Sequence, residues 1–523
     1  MGLLSVDMPP PKNLDVIYVG GESFSRKLTA ASLQGLVNRR LPRVYLLFNE
    51  PLDSDYKWLE TYISGYGLEV SYLKNLEEFV RKYVDIFQGF TIYDPQLLQS
   101  IPIAIMLSAL DNTLIASPED VDELMELSGK PIVNNFVGRW KNSLDAVEWS
   151  LKNLWPETNH NLVASMPLDR FPHVIQITDF LILKQPFTFM LSVLPDKDPE
   201  EFAMFDKVLS MCQGGYALGW SNREEWYVTL ASKYDIKVLC TIGNSNLSIH
   251  STFPCRVSLK QHKLPPNYRI ALREKIYVTF IYTDGDSPAV LLTYYRKLWD
   301  DPARGLIPIG WGFQPYLLEL SPGVIEYYYK TMTPNDYFLF GPSGAGYIYY
   351  TALSNKSRFS KETRDMSKLF DLEVTNLWLG LGPEKDSPPP TDEEIRDIVS
   401  PFIEETKPLG LFLRTPSKEK VVTGDDYYDP HRILLVKDTP VVVAPMYYVG
   451  DYERFKDVRK TLEYASLAEK KPLFLSLFIS NYGLTPTELH NIIKSLGSEY
   501  QVVRPDVFLH LLKEYLRQVG QTS

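Results

Sequence analysis

Short apolar runs alternate with segments of helical periodicity along the first half of the chain. The first run, at residues 15–20, precedes a segment whose apolar residues recur at helical spacing. Further strand-like runs lie at residues 43–48, 68–73, 89–94, 112–117, 215–220 and 236–241. Short strands that alternate with helices are typical of a mainly parallel sheet with helices on both faces. We therefore predict an N-terminal α/β domain over residues 14–255.

A polar, proline-containing stretch without sustained periodicity follows and predicts a linker at residues 256–275. A second strand and helix series begins after it. Its seven strand-like runs are at residues 276–282, 306–311, 337–340, 376–381, 409–414, 440–444 and 473–480. Parallel strands connected by helices in this number close naturally into a barrel. The predicted fold class is α/β, with the N-terminal domain followed by a TIM-like β/α barrel of seven or eight strands at residues 276–518.

Composition excludes several classes of partner. The 523 residues exceed what one hydrophobic core normally organises, so at least two domains are expected. The formal net charge is -11, and the chain therefore lacks the excess of basic residues that nucleic-acid binding needs. We expect no membrane span, because no apolar stretch is long enough to cross a bilayer. The N-terminal segment lacks a signal-peptide pattern, so the chain as written is expected in the cytoplasm, with an exported mature form as the alternative.

The seven histidines and three cysteines do not resemble a metal site. Cys212, Cys240 and Cys255 are too few and too scattered for a disulfide framework or a CxxC motif. The histidines form no HxxH or HxxxH pair. We therefore predict no metal and no cofactor.

The stretch NDYFLFGPSGAGYIYY at residues 335–350 is the most distinctive in the chain. Its strand-like run ends in a loop where Gly344 and Gly346 permit tight turns and close backbone approach. Tyr347 and Tyr349 then supply flat apolar faces with hydroxyl tips, which suit the binding of a sugar ring. The alternative is a glycine-rich hairpin whose tyrosines belong to the core.

Catalytic groups of a β/α barrel belong at the C-terminal ends of its strands. Asp284 and Asp286 follow the first strand of the predicted barrel, and their spacing across Gly285 can aim both side chains in one direction. Neighbouring carboxylates raise one another's proton affinity, so one can act as an acid and the other as a nucleophile, base or metal ligand. An Asp-Gly turn that merely ends the strand is the structural alternative.

Other polar and aromatic residues also follow or close strands and are expected on the same edge. Trp311 would stack on a sugar face, although a core role suits it equally, while Ser343 and Asn481 would supply hydrogen bonds. Asp336 precedes its strand, which indicates a structural role. Glycoside hydrolysis uses a partner carboxylate about 5 to 9.5 Å from the first, and the sequence leaves three loop candidates for such a distant partner open: Glu384, Asp425 and Asp426.

The residues Gly344, Gly346, Tyr347 and Tyr349 resemble the signature of the GxGYxYP family of putative glycoside hydrolases, with Tyr350 in place of the usual proline. The stretches TDGD, RGLIPIGW and TAASLQGLVNR, at residues 283–286, 304–311 and 29–39, are similar to family stretches in the family's order. The resemblance spans nearly the whole chain. It implies a glycoside hydrolase acting on an oligo- or polysaccharide, and it yields candidate positions, because the family's own activity is inferred.

The segment NSNLSIHS at residues 244–251 also looks like a family motif. Asn246, Ser248 and His250 alternate along it, which on an extended segment would place all three on one side. His250 is therefore a candidate substrate contact. Side chains that hold a connecting segment in place are the structural alternative.

Two further functions stay open. The first is a carbohydrate-binding or scaffold protein that keeps the aromatic residues but has no competent carboxylate pair. The second is a metal-dependent deacetylase, because the seven-stranded count and the first strand also look like polysaccharide deacetylases. Those enzymes generally bind a divalent metal through an aspartate and a pair of histidines, a pair that this chain lacks. The oligomeric state is not predicted.

Overall fold

The computed structural model describes residues 2–48, 52–167, 175–221, 223–263, 271–380, 390–415, 432–443, 455–467 and 470–520. The chain divides into two compact units. The N-terminal unit comprises Met1–Arg256 together with Tyr316–Ile325, and the C-terminal unit comprises Val257–Pro315 together with Glu326–Ser523. The predicted linker at 256–275 lies partly outside the described residues. No described helix is both long and apolar enough to cross a membrane.

Strands and helices alternate through the N-terminal unit, and all seven predicted strands are present, but the strands at residues 132–135, 159–165 and 186–189 were not predicted. The strands are β1 (Asn13–Tyr18), β2 (Val44–Leu47), β3 (Glu69–Leu73), β4 (Gly89–Ile92), β5 (Thr113–Ala116), β6 (Ile132–Asn135), β7 (Asn159–Ser165), β8 (Pro186–Phe189), β9 (Tyr216–Gly219) and β10 (Lys237–Cys240). The helices are α1 (Phe24–Arg40), α2 (Ser54–Tyr66), α3 (Leu76–Lys82), α4 (Ser100–Asp111), α5 (Val121–Ser128), α6 (Ser143–Asn153), α7 (Thr178–Lys184), α8 (Pro199–Ser210), α9 (Glu224–Lys233) and α10 (Leu247–His250).

The strands of the N-terminal unit form three parallel sheets. Their orders are β2-β1-β3, β5-β4-β6 and β10-β9-β7-β8. The predicted parallel α/β character is confirmed, but the strands do not join into one sheet within the described residues. The spacing of apolar residues identifies a strand but not the strand with which it pairs. The division into three sheets therefore could not be predicted from that spacing.

The remaining chain contains nine described strands. They are β11 (Ile276–Tyr282), β12 (Ile309–Phe313), β13 (Asp336–Phe340), β14 (Val374–Trp378), β15 (Gly410–Arg414), β16 (Arg432–Val436), β17 (Thr439–Val443), β18 (Leu473–Ile479) and β19 (Tyr500–Val502). The helices are α11 (Pro288–Leu292), α12 (Tyr294–Trp299), α13 (Leu317–Leu320), α14 (Pro322–Thr331), α15 (Lys356–Phe370), α16 (Asp392–Thr406), α17 (Phe455–Ser466), α18 (Pro486–Lys494) and α19 (Pro505–Gln518).

Eight of these strands form one curled, half-barrel sheet in the order β16-β17-β15-β14-β13-β12-β11-β18, and β19 pairs with β11. All seven predicted strands are present. The hairpin strand β16, antiparallel to β17, and the short β19 were not predicted. The edge strands β16 and β18 are not paired with each other in the described part of the chain. The closed TIM-like barrel is therefore not confirmed.

The C-terminal helix α19 covers one face of this sheet. Phe508 packs against Phe412 and Phe474, with ring centroids 6.2 and 5.5 Å apart. Glycine at position 410 allows α19 to pack close to β15, since a Cβ there would lie 2.7 Å from Leu509 Cδ2. The side chains of α19 therefore occupy the space next to this face of the sheet. The parallel strands present their C-terminal ends side by side along one edge of the sheet.

Candidate active site

The parallel order of β18, β11, β12, β13, β14 and β15 makes the C-terminal ends of these six strands neighbours. We call the residues at and just beyond these ends the strand-end rim: Thr283–Asp286, Gly312, Gly341–Ser343, Trp378, Arg414 and Asn481. Four of its members, Asp284, Asp286, Ser343 and Asn481, come from the sequence predictions. The geometry of the rim decides which side chains can meet a common ligand.

Asp284 and Asn481 lie in contact at the ends of β11 and β18. Asp284 is half-buried, and its Oδ1 accepts a hydrogen bond of 2.8 Å from Thr283 Oγ1. Asn481 Nδ2 donates to Asp284 Oδ2 at 3.4 Å and to the carbonyl oxygen of Thr283 at 2.6 Å. The backbone of Asp284 is left-handed, with φ of 56°, a conformation that aspartate tolerates in turns. These contacts fix the direction of the Asp284 carboxylate.

Asp286 is positioned by close backbone contacts of its loop with β12 and with the loop after β13. A Cβ on Gly285 would lie 1.9 Å from the carbonyl oxygen of Gly312, and one on Gly341 would lie 2.7 Å from the backbone nitrogen of Asp286. Gln314 Nε2 also donates to the Asp286 carbonyl at 3.3 Å. Glycine at these positions is therefore required for close approach of the loops. The Asp286 side chain is only 7% exposed.

Tyr295 braces the loop that carries both aspartates. Its hydroxyl contacts the carbonyl oxygens of Tyr282 and Thr283, at 3.0 Å in each case. Burial, followed by the charges of Asp284 and Asp286, raises the pKa of Tyr295 well above its usual value. Tyr295 therefore stays protonated at neutral pH and acts as a hydrogen-bond donor to the loop.

Trp311 is fully buried on the sheet face opposite α19. Its Nε1 donates to Asp336 Oδ1 at 2.9 Å, and its ring stacks on Tyr282 with centroids 4.8 Å apart. Asp336 also accepts hydrogen bonds from Arg304 and Thr333, at 2.6 and 2.7 Å. In this arrangement Trp311 packs in the core and offers no exposed face to a ligand.

The loop at residues 341–349, which we call the signature loop, is held by Ser343 and two glycines. Ser343 Oγ accepts from the backbone nitrogen of Trp378 at 2.8 Å and donates to the carbonyl oxygen of Ile348 at 3.1 Å. Gly344 and Gly346 have φ of 64° and 114°, which favours glycine at both positions. The Pro342–Ser343 peptide bond is cis. Ser343 thus ties the loop after β13 to the end of β14.

Tyr347 and Tyr349 of the signature loop are buried. Their rings meet edge to face with centroids 5.9 Å apart, and Tyr347 meets Trp378 in the same way at 5.5 Å. Both tyrosine rings pack against protein, so neither lies open to solvent. The loop therefore brings Ser343 and the two tyrosines together around Trp378.

Trp378 and Arg414 are rim residues that the sequence analysis did not select. They are register partners on β14 and β15, and the guanidinium carbon of Arg414 lies 4.2 Å from the centroid of the Trp378 ring. In the sequence analysis, the expectation that functional groups follow the strand ends selected only carboxylates, aromatic residues and small polar residues. Applied to cations as well, the same rule would have selected Arg414, the last residue of an apolar strand.

His250 belongs to the N-terminal unit, at the end of α10. The expectation that residues 246–250 are extended is wrong, because residues 247–250 form a helical turn. His250 Nδ1 hydrogen-bonds the Tyr62 hydroxyl, and burial lowers the pKa of His250 to about 3. Asn246 Oδ1 accepts from the backbone nitrogen of Leu46, and Ser248 Oγ donates to Asp179, so partners on β2, α2 and α7 stabilise the turn.

Several sequence predictions lie outside the described residues. They are the three candidate second carboxylates, Glu384, Asp425 and Asp426. Among the residues that the structure describes, no three His, Cys, Asp or Glu side chains lie together as metal ligands.

Four family models match consecutive parts of the chain. The first, second and third GxGYxYP N-terminal domains match residues 13–85, 87–158 and 160–252, and the GxGYxYP putative glycoside hydrolase C-terminal domain matches residues 274–513. The chain belongs to the GxGYxYP family. The predicted resemblance is confirmed, and the three N-terminal matches correspond to the three parallel sheets of this GxGYxYP protein.

A solved structure supports the same fold. The crystal structure of a putative hydrolase from Bacteroides thetaiotaomicron VPI-5482 superimposes with a TM-score of 0.81 and 21% sequence identity, over 98% of this chain and 97% of that chain. Cwp6 from Clostridium difficile matches 70% of this chain and 59% of its own at a TM-score of 0.28 and 11% identity, too low to carry an argument. A search of curated proteins found no match for this GxGYxYP protein.

Proposed function

We propose that this GxGYxYP protein is a glycoside hydrolase that cleaves an oligo- or polysaccharide at the strand-end rim, with Asp284 and Asp286 as its catalytic carboxylates. The observation that carries the proposal is their position at the C-terminal edge of a parallel sheet, where such folds place catalytic groups. The family description supports hydrolysis of a glycosidic bond.

The surroundings of the two aspartates suit different roles. Asp284 is half-buried and oriented by donors from Thr283 and Asn481, which suits an ionised nucleophile or base. Asp286, two residues away and less exposed, is then the proton donor, because burial favours the neutral form of a carboxyl group. The hydroxyl of Tyr295 holds their loop in place during the reaction.

Replacement of each aspartate by asparagine tests the proposal. Asp284→Asn and Asp286→Asn should each lower turnover of a cleavable saccharide by about 10²- to 10⁴-fold, the usual contribution of an acid or base. Saccharide binding should change by only a few-fold. Asp365→Asn, at an exposed position on α15, is the matched control and should keep full turnover.

Two results would contradict the proposal. Full turnover in either asparagine variant would show that the replaced aspartate is not catalytic. Saccharide binding without any turnover in the unmodified protein would instead support the non-catalytic carbohydrate-binding function.

A further inference from the structure

The first parallel sheet of the N-terminal unit has exposed tyrosines at the C-terminal ends of its strands. Tyr18 is the last residue of β1 and is 49% exposed, and Tyr72, next to the last residue of β3, is 65% exposed. The register pairs Tyr72 with Val16, two residues before Tyr18, so both tyrosines project from the same face of the sheet. They are therefore diagonal neighbours on adjacent strands.

A third tyrosine, Tyr56, joins this pair from helix α2. The helix begins over the same face of the sheet, because Tyr45 of β2, which faces the same way, donates a hydrogen bond of 2.9 Å to the carbonyl oxygen of Asp55. Asp55 is buried, and Tyr56, the next residue, is 40% exposed. Partial burial, followed by neighbours that include Tyr18 and Tyr72, raises the pKa of Tyr56, so the three phenol groups lie close enough to interact. We call these three residues the tyrosine platform.

The tyrosine platform lies where the strand order of the sheet reverses. The chain places β2 on one side of β1 and β3 on the other, and ligands of open parallel sheets bind outside the carboxyl ends of the strands at such a point. The loop after β1 has glycines at residues 20 and 21 and leaves the Tyr18 ring uncovered. A longer side chain at Gly21 would cover this ring, since even its Cβ would lie 4.0 Å from Tyr18 Cε1.

The area of the tyrosine platform fits a saccharide better than a protein. Three tyrosines with these exposures present roughly 300 Å², whereas a stable protein interface buries about 800 Å² on each partner. The charges that act on Tyr56 include the carboxylates of Asp53 and Asp55, which disfavour an anionic ligand such as single-stranded nucleic acid, whose stacking sites are basic. Flat rings with hydroxyl tips suit the apolar faces and the hydroxyls of sugar rings. We infer that the tyrosine platform binds a neutral saccharide chain.

The tyrosine platform is a saccharide site additional to the strand-end rim, and its occupancy can be measured without turnover. The full-length Asp284→Asn variant would be oxidised by hydroxyl radicals, alone and with the hexasaccharides of β-1,4-glucan, β-1,4-mannan, β-1,4-xylan and α-1,4-glucan. Mass spectrometry of peptides gives the oxidation of each exposed side chain, with Met211, exposed at the end of α8, as the internal reference. We expect at least one hexasaccharide to slow the oxidation of Tyr18, Tyr56 and Tyr72.

Substitutions in the same background assign this protection to the tyrosine platform. Replacement of any one of its tyrosines by alanine should raise the saccharide concentration that half-protects the other two by about 2- to 10-fold, the usual contribution of one aromatic contact. Tyr72→Phe keeps the ring and should retain most of the affinity that Tyr72→Ala loses. Gly21→Gln should also weaken binding, because its side chain would cover Tyr18. Leu369→Ala, at an exposed position on α15, is the control and should leave half-protection unchanged.

Equal oxidation of the three tyrosines with and without every hexasaccharide would overturn the inference, as would half-protection that the alanine substitutions do not change. Protection that needs no saccharide and grows with protein concentration would assign the surface to a second copy of the chain instead. Tyr482, exposed beside Asn481, reports occupancy of the rim, and protection there alone would support the rim and refute the tyrosine platform. Protection of the tyrosine platform, with full turnover in Asp284→Asn and Asp286→Asn, would refute those aspartates as the catalytic pair and keep the platform.

Discussion

Two buried carboxylates make the N-terminal unit sensitive to pH. Asp55 on α2 and Asp179 on α7 are buried, and Asp179 accepts hydrogen bonds from the nitrogen and hydroxyl of Ser248 at 2.9 and 2.6 Å. Burial raises the pKa of Asp179 from 3.8 to about 6, against the opposing effect of these hydrogen bonds. Burial also raises the pKa of Asp55 to about 6.

A raised pKa means that the folded chain binds the proton more tightly than the unfolded chain does. The corresponding stability is fully present below pH 3.8 and is lost as the pH rises through about 6. A shift of about 2 units corresponds to about 3 kcal/mol for Asp179. His250 acts in the opposite direction, because burial lowers its pKa from 6.5 to about 3 and stability falls as the pH drops below 6.5.

The net effect follows from these three groups. Near pH 5 the two carboxyls together lower the free energy of unfolding by about 2 kcal/mol for each unit of rising pH, and His250 restores about 1 kcal/mol. The net loss near pH 5 is about 1 kcal/mol per pH unit. Asp179→Asn removes one titrating carboxyl and should nearly abolish this slope, whereas His250→Gln should roughly double it.

Hydrogen exchange of peptides from α1, α7 and α10 measures the effect in the full-length chain. The free energy of opening would be compared at pH 4.5, 5.0 and 5.5 after correction for intrinsic exchange rates. Asp122→Asn, at an exposed position on α5, is the control and should keep the native slope. An Asp179→Asn slope equal to that of the unmodified protein would refute the assignment of this pH dependence to the buried carboxyls.

Three substitutions test the packing around the strand-end rim. Ser343→Ala leaves the backbone nitrogen of Trp378 without its 2.8 Å partner and should lower unfolding stability by about 1 to 3 kcal/mol, measured in denaturant. Gly285→Ala places a Cβ 1.9 Å from the carbonyl oxygen of Gly312 on β12, so both the melting temperature and turnover should fall. Trp311→Phe removes the hydrogen bond to Asp336 and should cost about 1 to 3 kcal/mol of stability, while turnover of the remaining folded enzyme is retained.

The sequence by itself determined most of the strands and the position of part of the rim. Apolar periodicity is a local property, so all seven predicted strands of the C-terminal unit are present within a few residues of their predicted bounds. The strand-end rule then placed Asp284 and Asn481 on one edge. Their side chains are 3.4 Å apart although 197 residues separate them, because parallel strands present their C-terminal ends on the same side.

Tertiary structure alone decided which of these side chains face a ligand. Trp311 and Tyr347 fit a sugar platform as well as a core by residue type, and the contacts of distant elements bury both. The same holds for residues 247–250, where buried partners on other elements favour a helical turn over an extended segment. The pairing of Arg414 with Trp378 also depends on strand register. Strand partners, burial and register arise from contacts between residues far apart in the chain, which local periodicity does not encode.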